Sequence, residues 1–458
     1  MKISIVLVSD LNNEFFDLFN NRDDISDLLK YYSFNAKKNE IIFINKSLVK
    51  SNENIILVGT NGCDSVDDWV SSGALTGKKI KFNVELSFID LTKNADLESL
   101  EFGIYLSQYS FDYFKSDIGE NYQIDIESST FSEEIRNKID SIFWTRDMVN
   151  YPALTKSPSF FEEQVNHLIK DTEIKLSSFD DDWLEKNNFG GITGVGSGSE
   201  RKPKLLVGEY NPDAEFQISI IGKGVLFDSG GLSLKSPAGM ETMKTDMAGA
   251  ATAWGIIALV AKQKLNIGLK VYTPIVENMP SGSSIRPGDV LKMRNNKTIE
   301  VLNTDAEGRL IMADALAYAS EFKPNVICDV ATLTGASYVA LGVEIGAVFS
   351  NDNELSEKFI NSNNNSHELY HRLPLEKNYK KLINSDIADI QNTGGRFGGA
   401  ITAALLLEEF INGIPWIHLD MAGPARSRDN DPVTPRGGTG FGVIGFYNFV
   451  KNLSKDSH

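Results

Sequence analysis

Two segments far apart in this chain carry charges that are hard to place unless they meet. One is Asn303-Thr304-Asp305-Ala306-Glu307-Gly308-Arg309-Leu310 and the other, upstream, is Gly222-Lys223-Gly224-Val225-Leu226-Phe227-Asp228-Ser229-Gly230-Gly231. If 304–309 runs extended, side chains alternate, and Asp305, Glu307 and Arg309 share one side. Two carboxylates in one small space repel each other and are costly to desolvate unless a cation of higher charge sits between them. A plain ion-pair loop is the competing reading of these residues taken alone. Lys223, Asp228, Lys235 and Asp246 follow the strand-like run Gln217–Gly222, and Gly224, Ser229, Gly230 and Gly231 allow the backbone close approach. The four carboxylates Asp228, Asp246, Asp305 and Glu307 carry four negative charges, which two divalent cations neutralise if Lys223 binds as the neutral amine. A dication and partial burial both favour that form. A salt bridge from Lys223 to one of the carboxylates is the alternative. Oxygen and amine donors without His or Cys admit manganese or zinc, and also cobalt or magnesium.

At 458 residues the chain is long enough for two or three domains. Its 45 Lys and Arg against 62 Asp and Glu give a net charge of −17 without a basic stripe, so nucleic acid is not an expected partner. Cys63 and Cys328 lie far apart without a metal or disulfide spacing, as in a reducing compartment. Residues 1–10 read as a strand rather than a signal peptide, and the uncharged run 247–261 is too short for a bilayer. The expectation is a cytoplasmic protein without a membrane partner.

Residues 1–130 alternate strand-like runs (3–8, 54–58, 80–89) with helical ones such as 97–111, which reads as a small α/β domain. Residues 131–152 form the expected linking helix, helical from 132 to 149 with Glu133 and Glu134 in its first turn and Pro152 past its end. Residues 153–458 then alternate strand and helix: strands at 205–207 and 218–221, a long helix at 240–262, and a strand at 268–276. A hairpin at Asn295-Asn296 follows, then a helix at 310–322, a strand at 326–333, a helix at 400–411 and a strand at 416–421. The fold class is therefore α/β with two domains, a small N-terminal one and a larger C-terminal catalytic one built on a mixed, helix-covered central sheet. The charged residues fall at strand ends, where open sheets of this class place their sites. Gly194-Val195-Gly196-Ser197-Gly198-Ser199 lacks the ending of a phosphate loop, and no HExxH occurs. His367 and His371 read as a solvated helix face, Asp314 and Asp329 as structural carboxylates.

The phrases GKGVLFDSGGLSLK, MKTDMAGA and NTDAEGRLIMADAL resemble the leucyl (cytosol) aminopeptidase family, whose signature is the octapeptide NTDAEGRL. The runs TLTGA, SDIADIQNTGGR, HLDMAG and GTGFGV are similar to further phrases of that family, so the resemblance covers roughly 145–450. It implies one tightly held metal on Lys223, Asp228, Asp246 and Glu307. It likewise implies a second, more loosely held metal on Asp228, Asp305 with its carbonyl, and Glu307. It further implies water activated between the cations as nucleophile, Lys235 as the charged electrophile at the oxyanion, and Arg309 holding a bicarbonate that acts as general base. Met243, Thr332, Gly335, Ala422 and Ala425 would surround the side chain of the substrate's first residue, leucine or another apolar one. Arg426 stands where many bacterial members carry tryptophan. The partners implied are peptides with a free N-terminus and, through the variable N-terminal domain, five further copies in a homo-hexamer. Two other classes compete, a catalytically silent scaffold of the same fold and a nucleotide-dependent α/β enzyme. Hydrolysis of Leu-p-nitroanilide separates the first, ATP binding the second.

Overall fold

The computed structural model describes residues 1–117, 122–126 and 133–456. The expected helix start at Ser132 lies outside them. Two compact units result. One comprises Met1–Ile139 with Asn365–His367 and Asp429–Pro435, the other Asp140–Asn364, Glu368–Arg428 and Arg436–His458; the division falls inside the helix Glu133–Asn150.

The first unit is a five-stranded sheet in the order Ile41–Ile44, Asn54–Gly59, Lys2–Val8, Val84–Asp90, Ile124–Ile126. Only the Ile41–Ile44 edge is antiparallel to its neighbour. Lys2–Val8 is buried from Ile3 to Val8, as befits a parallel strand covered on both faces. Helix Val66–Lys79 opens with a capping box, Ser65 accepting from Asp68 N while the Asp68 carboxylate accepts from Ser65 N. It runs against helix Leu97–Leu106 at backbone contact, since a Cβ on Gly73 would lie 2.0 Å from Leu100 O and one on Gly103 2.0 Å from Val70 O.

The second unit holds a nine-stranded mixed sheet. Its order is Leu369–Arg372, Ile345–Ser350, Trp416–Asp420, Val326–Ala331, Gln217–Gly222, Gly268–Asn278, Lys204–Tyr210, Lys175–Phe179, with Gly224–Asp228 paired to the far end of Gly268–Asn278. The central strands run parallel, and Lys204–Tyr210 is antiparallel to Gly268–Asn278. Helices Ala248–Lys262 and Gly308–Glu321 cover it; in the former every residue up to Ala261 is buried, so its run of alanines and glycines marks a core helix. The expected α/β class with a mixed, helix-covered sheet is thus the observed one. The hairpin at Asn296 joins strands Val290–Lys292 and Thr298–Glu300, with Asn296 in the left-handed region at φ 68°.

Two expectations are corrected. The helix read at 240–262 is broken into Pro237–Met240, a 3-10 turn Met243–Thr245, and Ala248–Lys262, because Asp246 spends its side chain on Lys223 and Thr332 instead of facing solvent. His367 and His371 share no helix, since His371 lies exposed in the edge strand Leu369–Arg372.

Asp314, on helix Gly308–Glu321, accepts from Gly191 N (2.7 Å), Ile192 N (3.0 Å) and Arg294 N (2.8 Å), tying three backbone segments together. An amide there offers one acceptor and turns its own N–H groups against donors. Asp314→Asn should therefore lower unfolding stability by about 1–3 kcal/mol, measured as a shifted urea midpoint. An unshifted midpoint would show the carboxylate to be dispensable.

Candidate metal centre

The site assembles at the ends of strands. Gly224–Asp228 delivers Asp228, whose Oδ1 accepts from Asn278 Nδ2 (2.8 Å) and Gly230 N (2.9 Å). The chain then turns through Gly230 (φ 87°) and Gly231 (φ 63°), a conformation open to glycine. A Cβ on Gly230 would also stand 2.8 Å from Asp305 Oδ1. Thr304 stitches this turn to the octapeptide, its Oγ1 donating to Gly230 O (2.6 Å) and accepting from Ser233 N (2.8 Å).

The octapeptide itself is not extended, which corrects the alternation read from sequence. Asn303 Oδ1 accepts from Asp305 N (2.9 Å), making a turn, and helix Gly308–Glu321 starts directly after Glu307. Asp305 and Glu307 still converge, because the turn and the first helical residues aim both carboxylates at Asp228. Ligand oxygens of Asp228, Asp305 and Glu307 lie within 4.8 Å of one another. Glu307 occupies the N-cap position without capping, so its carboxylate is free for the site.

Two lysines knit these acids together. Buried Lys223 Nζ lies 2.7 Å from Asp246 Oδ1 and 3.0 Å from Glu307 Oε1, and donates to Thr332 O (2.9 Å). Its stem passes over Gly308, where a Cβ would meet Lys223 Cε at 2.4 Å. Lys235 Nζ lies 2.7 Å from Asp228 Oδ2 and also pairs with Asp305. Burial works against the Lys223 ammonium, but Asp246, Glu307 and Asp228 outweigh it and hold its pKa above the ordinary value. The same balance, burial against Asp228, raises Lys235. Burial first, then Glu307, pushes Asp228 up; burial likewise raises Asp305 and, far more, Asp246. Four carboxylates against two ammonium groups leave surplus negative charge in a desolvated place.

Two observations bear on whether cations fit here. Asp246 Oδ2 is buried without a hydrogen-bond partner, and Glu307 Oε1 is close to Lys223 yet outside hydrogen-bonding geometry. A hard divalent cation satisfies such orphaned oxygens and offsets the surplus charge. The residues therefore fit a divalent centre. Arg309 lies alongside, nearly buried, its Nη1 donating to Asn392 O (2.7 Å) and its Nε without a partner. Burial pushes its pKa down to about 10, which leaves it cationic at neutral pH.

Of the five residues expected around the substrate's first side chain, the structure ties two sets together. Thr332 Oγ1 donates to Asp246 Oδ1 (2.8 Å), and Gly335 opens the helix Gly335–Leu341. Asp420 links that loop to the one carrying Ala422 and Ala425, accepting from Leu333 N (3.1 Å), Thr334 Oγ1 (2.6 Å) and Ala422 N (3.2 Å). Met243 lies half-buried on the 3-10 turn before Asp246. Lys244 is held away from the cluster, its Nζ donating to Asn150 O. Asp329 accepts from Trp416 Nε1 (2.7 Å) and pairs with His418 Nδ1 (2.5 Å) deep under the sheet.

Sequence reasoning missed two asparagines. Asn278 Nδ2 reaches both Asp228 Oδ1 and Thr304 O (2.9 Å), locking the two segments in register. Fully buried Asn392 accepts from Leu302 N (2.9 Å), donates to Asn303 O (2.6 Å) and offers its carbonyl to Arg309. Asn392 lies in the SDIADIQNTGGR phrase, which was the available signal; Asn278 had none beyond its place at a strand end.

Residues 143–446 match the catalytic domain of the cytosol aminopeptidase family. The chain is 43% identical over 357 residues to the probable cytosol aminopeptidase of Syntrophotalea carbinolica, covering 74% of this chain and 72% of that one. It is 38% identical over 396 residues to that of Rickettsia bellii, covering 82% and 78%. The crystal structure of cytosol aminopeptidase from Coxiella burnetii superposes with a TM-score of 0.88 at 30% identity, over 99% of this chain and 97% of that one. The bottromycin maturation enzyme BotP, in complex with Mn, gives 0.88 at 27% identity over 99% of each. Fold and site define a metal-dependent peptidase. More narrowly, the chain belongs to the cytosol aminopeptidase family, enzymes that hydrolyse peptides from the amino end. Among the described residues no helix is long and apolar enough to cross a membrane.

Proposed function

We propose that this enzyme removes leucine or another apolar first residue from peptides with a free N-terminus, in the cytoplasm, as a homo-hexamer. Residues 153–458 would carry the chemistry, 131–152 join the domains and 1–130 serve assembly. The observation that carries the reading is the convergence of four carboxylates on Lys223 and Lys235 with Asp246 Oδ2 unpartnered. Lys223, Asp228, Asp246 and Glu307 would hold one divalent ion, Lys223 then binding as an amine in place of its ion pairs. Asp228, Asp305 and Glu307 would hold the other. Such ions supply the charge that acidifies water and polarises a carbonyl. Manganese, named with BotP, suits this donor set, as do zinc, cobalt and magnesium.

The chain's own groups do the rest. Lys235, held charged by Asp228 and Asp305, would donate to the developing oxyanion. Arg309 has an unused buried Nε that suits an anion, and bicarbonate on it would accept a proton as general base. Met243, Thr332, Gly335, Ala422 and Ala425 would receive the first side chain, with Arg426 at the rim.

The test is N-terminal acetylation, which removes the amine lone pair that such a centre binds. Leu-peptides should be cleaved and their acetylated forms left intact in a chromatographic assay of released leucine. Comparable turnover of both would rule out an enzyme that requires a free amine.

A further inference from the structure

A cleft of about 610 Å³ opens between helix Gly335–Leu341 and the start of helix Gly399–Glu408, walled by Ala336, Ala340, Leu373 and Ile401. Gly335, one of the five residues expected around the substrate's first side chain, lines it too, so the cleft borders that region. Arg396 stands on its rim, exposed, with its guanidinium 5.9 Å from the Phe397 ring. No hydrogen bond or ion pair to another described residue engages it. The chain connects it to the centre through Asn392, whose carbonyl holds Arg309. In a protein of net charge −17, an uncommitted arginine beside an apolar cleft suits a ligand that is apolar and ends in an anion.

We propose that this cleft receives the leaving portion of a short apolar peptide, whose terminal carboxylate pairs with Arg396, so that the enzyme favours di- to tetrapeptides bearing a free C-terminus. The inference rests on the aminopeptidase reading above. A cleft of this size is within the usual range for small-molecule sites, and a guanidinium takes a carboxylate in two parallel hydrogen bonds. Because the rim is exposed to water, the pair is worth a modest factor.

The experiment compares kcat/KM for Leu-Leu, Leu-Leu-Leu and Leu-Leu-Leu-Leu, each as free acid and as C-terminal amide, and for Leu-Gly as free acid, in the metal-loaded wild type, Arg396→Gln and Ala340→Phe. The wild type should prefer the acid by about three- to tenfold at one of these lengths, and Arg396→Gln should bring that ratio close to one. Ala340→Phe, which fills the cleft, should penalise Leu-Leu more than Leu-Gly. Equal rates for acid and amide at every length overturn the proposal, as does an unchanged ratio in Arg396→Gln. A changed sedimentation mass of Arg396→Gln also overturns it, since a second copy then covers the cleft. If the wild type releases leucine from none of these peptides nor from Leu-p-nitroanilide, the aminopeptidase reading itself fails; the other outcomes leave it standing.

Discussion

Glu307→Ala is expected to yield a folded protein that binds less metal and turns over Leu-p-nitroanilide about 10³-fold more slowly or worse, the loss that removing several kcal/mol of transition-state charge stabilisation produces. The proposal has Glu307 serving both ions; a ligand oxygen of Glu307 lies within 4.8 Å of those of Asp228 and Asp305, and its Oε1 lies 3.0 Å from Lys223 Nζ. The substitution also leaves Lys223 with Asp246 and Thr332 alone. Folding should survive, because Glu307 gives helix Gly308–Glu321 no side-chain cap. Metal content by emission spectrometry and far-UV circular dichroism, taken on the same sample, separate a lost ligand from a lost fold. A variant with its full complement of metal would remove Glu307 from the ligand set.

Arg309→Ala tests whether the arginine is structural or catalytic. If its role ends at the bond to Asn392 O, the variant should be less stable and lose activity only through disorder of the octapeptide. If the unpartnered Nε binds bicarbonate, the variant should keep both metals and fold normally, yet lose about 10²–10⁴-fold in kcat, the usual worth of a general base. Turnover against added bicarbonate in degassed buffer decides between these. Wild type should accelerate and Arg309→Ala respond weakly. Equal activation of the two, or no activation of a wild type freed of the anion, would make Arg309 structural.

Much of this molecule is legible in its sequence. The strands Gln217–Gly222 and Val326–Ala331 and the core helix Ala248–Lys262 announce themselves as apolar runs, because central strands and buried helices leave no face for polar residues. The types of residue at the centre were legible too, since crowded carboxylates favour a cation between them, although the residues taken alone also suit a plain ion-pair loop. The octapeptide's path was misread, because period-two alternation and a turn running into a helix both bring Asp305 and Glu307 near each other. Only the side chain of Asn303, closing on Asp305 N, settles which one occurs. The break in the helix read at 240–262 was equally hidden, since Met243, Asp246 and Met247 carry no helix-stopping residue; what bends the chain is the pull of Lys223 and Thr332 on Asp246.

Sequence by itself therefore determined the class of fold and the inventory of charges. Tertiary structure decided which charges pair, with Lys223 reaching Asp246 and Glu307 while Lys235 reaches Asp228 and Asp305. It also decided that Asn278 and Asn392 hold the two segments in place. The physical reason is range: propensity and periodicity act over neighbouring residues, whereas burial of a charge is set by whatever distant strand end the sheet happens to bring within a few ångströms.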